Sequence, residues 1–365
     1  MPITKMLLRS VPVIALAGGP LLAQTLPANA SDVAAYQASD TYIAGQMDRL
    51  NVPGAAVAIV VGDRVVHQRG FGQARPGGAP PSPETPFFLG SLTKSFTALA
   101  VMQLVEGGKV ELNAPVQRYL PWFRVADPQA STRITVRQLL IQTSSLPTTP
   151  GWAAMADFDQ SPGAAERQAR ALATVQLTRP VGSAFEYTNT NFDLLGLIIE
   201  AASGESYAEY VQDHIFRPLD MRHSYTTRAE ALRGGLAMGY RYWFAHPVAT
   251  PDLPIASGSL ALSCLISSTA DTAHYLIAQL NGGRYGAAQV LSPHGIAEMH
   301  RPAVVANQGL AQGHYGMGWF IEDRGSTLVV WHDGVVPDFF ASSPTWRSCR
   351  SRTRASSSSS TPIIS

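Results

Sequence analysis

The chain has 365 residues, of which 45% are hydrophobic and only 15% charged, with a formal net charge of +1. This composition suits one large or two modest globular domains with a sizeable core, and the charge balance gives no electrostatic reason to expect a nucleic-acid partner. Nine scattered histidines and two cysteines, Cys264 and Cys349, without metal-ligand neighbours argue against a structural zinc site and leave a single disulfide open; no Gly-rich phosphate loop or dinucleotide fingerprint lies between a strand and a helix.

Residues 1–30 read as an export signal. Lys5 and Arg9 make a positive start, "VPVIALAGGPLLA" a short apolar core, and Ala28–Ala30 an A-x-A cleavage site. Gly18, Gly19 and Pro20 interrupt the run, which falls short of the roughly 20 apolar residues of a spanning helix. No later segment is long and apolar enough to span. The expectation is a mature protein without a membrane span, periplasmic or secreted.

A helix should follow from the Ser31–Asp32 capping pair to the Pro53–Gly54 break. "AAVAIVVGDRVVHQRGFG" predicts a hairpin around Gly62–Asp63, and "RPGGAPPSPETP" a loop. A second helix opens near Ser91 and ends at Gly107–Gly108, with Phe96, Leu99, Ala100, Met102 and Val105 on its apolar side. "TVRQLLIQTS", "DLLGLIIEAASG", "SYAEYVQDHIF" and "TADTAHYLIAQLNGG" have helical spacing, the second closed by Gly204 and the third by Pro218. "YGMGWFIED" and "STLVVWHDG" are strand-like runs around a turn at Arg324–Gly325. Strands, a helical block and strands again predict an α/β (α+β) fold. Its antiparallel sheet is built from both chain ends, about 31–90 and 255–341, with a mostly helical subdomain, about 91–254, inserted between them.

Lysine is scarce, occurring only at 5, 94 and 109, yet Lys94 stands one helical turn after Ser91 in "FFLGSLTKSF". Positions i and i+3 share a helix face, so the amine can reach the hydroxyl. A buried amine can lose its proton and act as the base that a serine nucleophile needs. Alone, S-x-x-K reads more readily as a capping serine followed by an exposed lysine. Further along, "FEYTNTNFDLLG" supplies Tyr187-Thr188-Asn189, and "STLVVWHDGVV" supplies His332-Asp333-Gly334 at a strand end.

In this order and separation the three motifs resemble the penicillin-recognising serine hydrolases: class C β-lactamases, D-alanyl-D-alanine carboxypeptidases, and related esterases and D-amino-acid peptidases. The likeness covers roughly residues 32–341. It implies a β-lactamase/transpeptidase-like fold and an acyl-enzyme mechanism on an ester, D-peptide or β-lactam carbonyl. It implies Ser91 as nucleophile, with Lys94 and the Tyr187 oxygen as proton relay. Asn189 would hold a substrate amide or the lysine. The strand edge at His332, Gly334 and Val335 would line the substrate, and the N–H groups of Ser91 and Val335 would form the oxyanion pair. No metal or organic cofactor is implied; the partner is a small-molecule or peptide substrate, and the unit a monomer. The rival is a non-catalytic or inactive binder of cell-wall peptides.

Three departures stand out. His332 replaces the motif lysine; near its ordinary pKa of about 6.5 it is mostly neutral at pH 7, favouring esterase or peptidase activity over β-lactam hydrolysis. Ser145 and Asp338 stand where related sequences have glycine, so backbone strain is expected there. Residues 342–365 carry four arginines, no acid and a five-serine run, which reads as a disordered tail. With one permitted choice of codons, a shifted frame would read Pro344–Arg350 as Tyr-Met-Ala-Leu-Leu-Pro and Ala355–Ser365 as Val-Val-Val-Leu-Val-Asn-Ala-Asp-His-Gln, apolar runs like those the family resemblance implies. A one-base slip near 341–343 is the hypothesis. It carries the expectation that the strand ending in His332 loses a sheet neighbour and the chain loses stability or activity.

Overall fold

The computed structural model describes residues 30–157, 159, 161–251, 257–307, 313–324, 327–336, 345–351 and 363–364. The leader, apart from Ala30, and Asp338 thus lie outside the described residues.

Both chain ends build one antiparallel sheet. Strands β1 (Gly54–Val61) and β2 (Arg64–Gly72) form the expected hairpin, with Gly62 at φ +64° in its turn. From the second half of the chain come β3 (Val304–Val305), β4 (His314–Tyr315), β5 (Phe320–Arg324), β6 (Thr327–Asp333), β7 (Thr345–Ser351) and β8 (Ile363–Ile364). Their order across the sheet is β2-β1-β8-β7-β6-β5-β4-β3. Alternation along β1 divides its side chains between two layers. Val57 and Ile59 join Met47 of helix α1 (Ala30–Leu50), while Ala58 and Val60 join the main core.

That core is organised around helix α2 (Thr93–Glu106). An amphipathic helix was expected, but Thr93–Met102 is buried on every side. The reason is position, since α2 lies between the sheet and the inserted helices and has no solvent face. Its polar residues are bonded inside: Ser95 Oγ donates to Leu92 O at 2.8 Å and Thr97 Oγ1 to Ala261 O at 2.6 Å.

Helix α3 (Thr190–Ser203) crosses α2 and ends at Gly204, φ +83°. Chain returns to the sheet through α4 (Thr269–Leu280). Two helices are shorter than their spacing suggests. "TVRQLLIQTS" is helical only over Val136–Leu140, and "SYAEYVQDHIF" makes an α-turn, Tyr207–Val211, followed by a π-helical turn, Gln212–Phe216.

The tail corrects the sequence reading. β7 pairs with the whole of β6, from Asp333↔Thr345 to Thr327↔Ser351. β8 pairs with β1 at Ile59↔Ile364 and with β7 at Arg347↔Ile364. The strand ending in His332 therefore keeps a neighbour on both sides, and these two segments are not coil. Every residue but proline carries a backbone donor and acceptor, so a ladder can form from a composition that reads as disordered.

Candidate active site

Ser91 lies in a 3₁₀ turn, Gly90–Leu92, that runs straight into α2. The approach is pinned by Phe87–Phe88, which pair with Ile266–Ser267, and by Leu89 N donating to Leu265 O at 2.9 Å. Gly90 has φ +56°, and a Cβ there would lie 2.6 Å from Val335 N. A Cβ on Gly334 would lie 1.9 Å from Leu89 O and 3.2 Å from Ser91 N. The two glycines thus let the end of β6 close onto the serine turn, bringing the backbone nitrogens of Ser91 and Val335 to the same place.

Lys94 is fully buried one turn on. Its Nζ lies 3.0 Å from Ser91 Oγ, 2.9 Å from Asn189 Oδ1 and 2.9 Å from Leu262 O. Burial pushes the ammonium down to about 7; Asp193, Asp333 and Cys264 pull the other way. A neutral amine has two N–H groups and one lone pair. Both carbonyl oxygens can only accept, so they take the two N–H groups and leave the lone pair facing Ser91 Oγ. That is the orientation a general base requires.

Tyr187 hydrogen-bonds Ser91, and burial raises its phenol well above the ordinary value, so it stays protonated. Its ring stacks on Phe320 with centroids 6.2 Å apart, and Lys94 Nζ lies 5.1 Å from its centre. The loop carrying Tyr187 and Asn189 is held from behind by "QTSS". Gln142 Oε1 accepts from Thr188 N at 3.1 Å and from Asn191 Nδ2 at 2.6 Å, and Ser144 Oγ donates to Asn191 Oδ1 at 2.6 Å. Ser145 adopts the left-handed conformation its place implied, φ +65°, and its hydroxyl donates to Pro180 O at 3.0 Å.

His332 sits at the strand edge, but its ring faces inward with no exposed surface. Nδ1 donates to Asp333 O at 2.6 Å, which leaves Nε2 to accept from Tyr315 Oη at 3.4 Å. Burial pushes its pKa down to about 4, with Lys94 adding to the effect against the pull of Asp333. His332 is thus neutral, as read from sequence, and the exposed side chains of the segment belong to Asp333 and Val335. The part of the edge that meets the serine turn is Gly334–Val335, with the imidazole behind Tyr187 at 6.2 Å between ring centres.

Sequence reasoning missed several supports. Leu262 contributes a carbonyl, which no side-chain pattern reports. Gln142, Asn191 and Tyr315 act from behind the motifs. Asp193 is legible only as the residue one turn after Asn189. Cys264 is a free buried thiol, pushed up to about 12 by burial. Among the described residues no group of His, Cys, Asp and Glu could hold a metal ion, and no helix is long and apolar enough to cross a membrane.

A family model described as Beta-lactamase matches residues 40–345. The Flp protein of Staphylococcus aureus (strain MW2) is 29% identical over 311 residues, covering 83% of this chain and 59% of the relative. An unguisins hydrolase, UngD′, of Aspergillus campestris (strain IBT 28561) is 28% identical over 307 residues, 80% of this chain and 56% of the relative. The chain therefore spans less than two thirds of the length of these curated relatives. An octameric penicillin-binding protein homologue from Pyrococcus abyssi matches in structure with TM-score 0.76 and 28% identity, over 90% of this chain and 72% of that one.

Proposed function

The chain belongs to the β-lactamase family, and on that premise we propose that it is a serine hydrolase working through an acyl-enzyme on an ester or peptide-like carbonyl. The observation that carries the reading is the buried, pre-oriented Lys94 amine, 3.0 Å from Ser91 Oγ. Ser91 Oγ attacks the carbonyl carbon as its proton passes to Lys94 Nζ. The N–H groups of Ser91 and Val335 bind the oxyanion. As the intermediate collapses, the leaving atom takes a proton from the Tyr187 phenol, and Lys94 returns one to Tyr187. Water then attacks the ester of Ser91, with the same groups acting in reverse. Asn189 holds the base, and the Gly334–Val335 edge lies alongside the substrate.

Neutral, inward-facing His332 supplies no fixed cation for a substrate carboxylate, which favours esters and uncharged peptide bonds over β-lactams. The fungal relative's name, a hydrolase, supports hydrolysis as the reaction class without choosing the bond. Export is part of this reading, carried by the leader-like residues 1–30; N-terminal sequencing of the secreted protein checks cleavage after Ala30. All the groups named come from one chain, so the proposed unit is the monomer, although the archaeal neighbour is octameric; light scattering distinguishes the two.

A panel of a p-nitrophenyl ester, a D-alanyl-D-alanine peptide and a chromogenic β-lactam tests the function. Turnover should be highest on the ester or peptide and lost in Ser91→Ala. A stable adduct without turnover would make the protein an acceptor instead, and inertness to all three would overturn the reading.

A further inference from the structure

Resting on the acyl-enzyme reading, we propose that Asp333 is a specificity-determining residue: its exposed carboxylate, at the mouth of the site, selects esters or peptides that carry a cationic group a few bonds from the scissile carbonyl. Position comes first. Asp333 is the last residue of β6 and stands directly before Gly334, where an added Cβ would lie 3.2 Å from Ser91 N. Successive side chains along a strand point to opposite faces. His332 turns its ring inward and Gly334 meets the serine turn, so Asp333 between them is turned outward, with 57% of its side chain exposed. Two residues of chain span no more than about 7 Å, which sets its reach from Val335 and the oxyanion.

The carboxylate is also close to the reacting groups. Asp333 Oδ1 lies 3.8 Å from His332 Nδ1, and the His332 ring centre is 6.2 Å from those of both Tyr187 and Tyr315. Tyr187 in turn hydrogen-bonds Ser91. One imidazole therefore separates the carboxylate from the tyrosine that serves the serine. Its field reaches the same place. Burial is the largest influence on Lys94, Tyr187, Tyr315 and His332, and the Asp333 charge acts on all four.

That charge is unmatched. Glu186, beside Tyr187 in the chain, meets Arg179 at 3.3 Å. Among the described residues, the ion-pair neighbour of Asp333 is His332, whose imidazole is neutral, and no lysine or arginine lies within ion-pair reach. Lys94 is buried, with its amine directed at Ser91, Asn189 and Leu262. A fixed negative charge at the rim of a cleft draws in cations and repels anions. Neutral His332 removes an attraction for substrate carboxylates, and Asp333 adds an attraction of the opposite sign. An ammonium or guanidinium on the substrate supplies the partner that the described residues do not.

The test uses the full-length protein and two matched pairs of esters. One pair carries the charge on the acyl group: the p-nitrophenyl ester of γ-trimethylammonio-butyrate and its tert-butyl isostere, in which carbon replaces the quaternary nitrogen. The other carries it on the leaving group: acetylcholine and its tert-butyl isostere. The readout is the ratio of kcat/KM within each pair, corrected for each ester's own hydrolysis in buffer, so that effects common to both esters cancel. Wild type should favour the cation about fivefold or more in at least one pair. The preference should shrink toward unity in Asp333→Asn, return in Asp333→Glu, and fade as NaCl is raised. Ratios near unity in both wild-type pairs would overturn the proposal, as would a cation preference that Asp333→Asn leaves intact. Should Asp333→Asn not fold, the salt series in wild type decides: a preference that fades supports the proposal, and one indifferent to salt overturns it. If p-nitrophenyl acetate leaves no acetyl group on Ser91, the acyl-enzyme reading fails and the proposal falls with it; acetylation without charge selectivity overturns the proposal alone.

Discussion

The two neighbours of β6 are made differently. On one side β5 meets it through a ladder from Phe320↔Trp331 to Arg324↔Thr327 and also through specific side chains: the Phe320 and Trp331 rings lie 4.9 Å apart, and Phe320 also stacks on Tyr187. On the other side β7 meets it through a seven-residue backbone ladder, drawn from a region rich in arginine and serine. A ladder needs only backbone groups, whereas the wall behind Tyr187 needs particular shapes. Every group in the proposed mechanism comes from the Gly90–Leu92 turn, α2, the Tyr187–Asn189 stretch, Leu262 and the β6 end. The site is therefore assembled independently of what β7 and β8 are made from, and the tail should act on stability before it acts on chemistry.

That separation can be broken most sharply at Gly334. Its missing Cβ is what lets Leu89 O approach, and alanine would place a carbon 1.9 Å from that oxygen. Gly334→Ala should cut acylation about a hundredfold by spoiling the oxyanion pair, measured as kcat/KM on a p-nitrophenyl ester. Unchanged kcat/KM would mean that the Ser91–Val335 junction does no chemistry.

A change confined to the other side of β6 should behave in the opposite way. Replacing residues 342–365 with the frame-restored reading should raise the melting temperature by about 5–10 °C, as a few kcal/mol would in a large domain. Turnover per folded molecule should stay near its starting value. Resequencing the gene across codons 341–343 checks the slip itself, and an unshifted open frame there would refute it.

Two titrations separate stability from catalysis. His332 is held at about 4 against an ordinary 6.5. Between those pH values the unfolded chain takes up a proton that the folded chain refuses. Stability should thus fall as pH drops from 6.5 toward 4, by about 3 kcal/mol, in urea titrations at each pH. Lys94 must be neutral to act and is held at about 7, so acylation should lose its activity below that pH while the fold persists. Coincident loss of rate and fold would merge the two effects. The smallest change expected is at Ser145. Glycine would relieve its φ of +65° but remove the bond to Pro180 O, leaving stability within about 1 kcal/mol of wild type by thermal unfolding.

Much of this was legible in the sequence. Ser91 and Lys94 stand one helical turn apart, the resemblance to serine hydrolases implied that Tyr187 and Asn189 join them, and the β1–β2 hairpin and Gly204 cap follow local rules. What was not legible depends on tertiary neighbours. The all-round burial of α2 reflects what surrounds it, not its own periodicity. The inward turn of His332 depends on Tyr315 and on the carbonyl of Asp333. Leu262 acts through a backbone oxygen that any residue would carry. The pairing of β7 was missed because composition speaks for side chains, and a ladder is satisfied without them.

The central claim is that Ser91 becomes acylated with Lys94 as its base. Intact-protein mass spectrometry after brief mixing with p-nitrophenyl acetate tests it directly, in wild type, Ser91→Ala and Lys94→Ala. An acetyl adduct on Ser91 in wild type, absent from both variants, is the predicted result. An adduct that persists in Ser91→Ala, or none in folded wild type, would contradict the account.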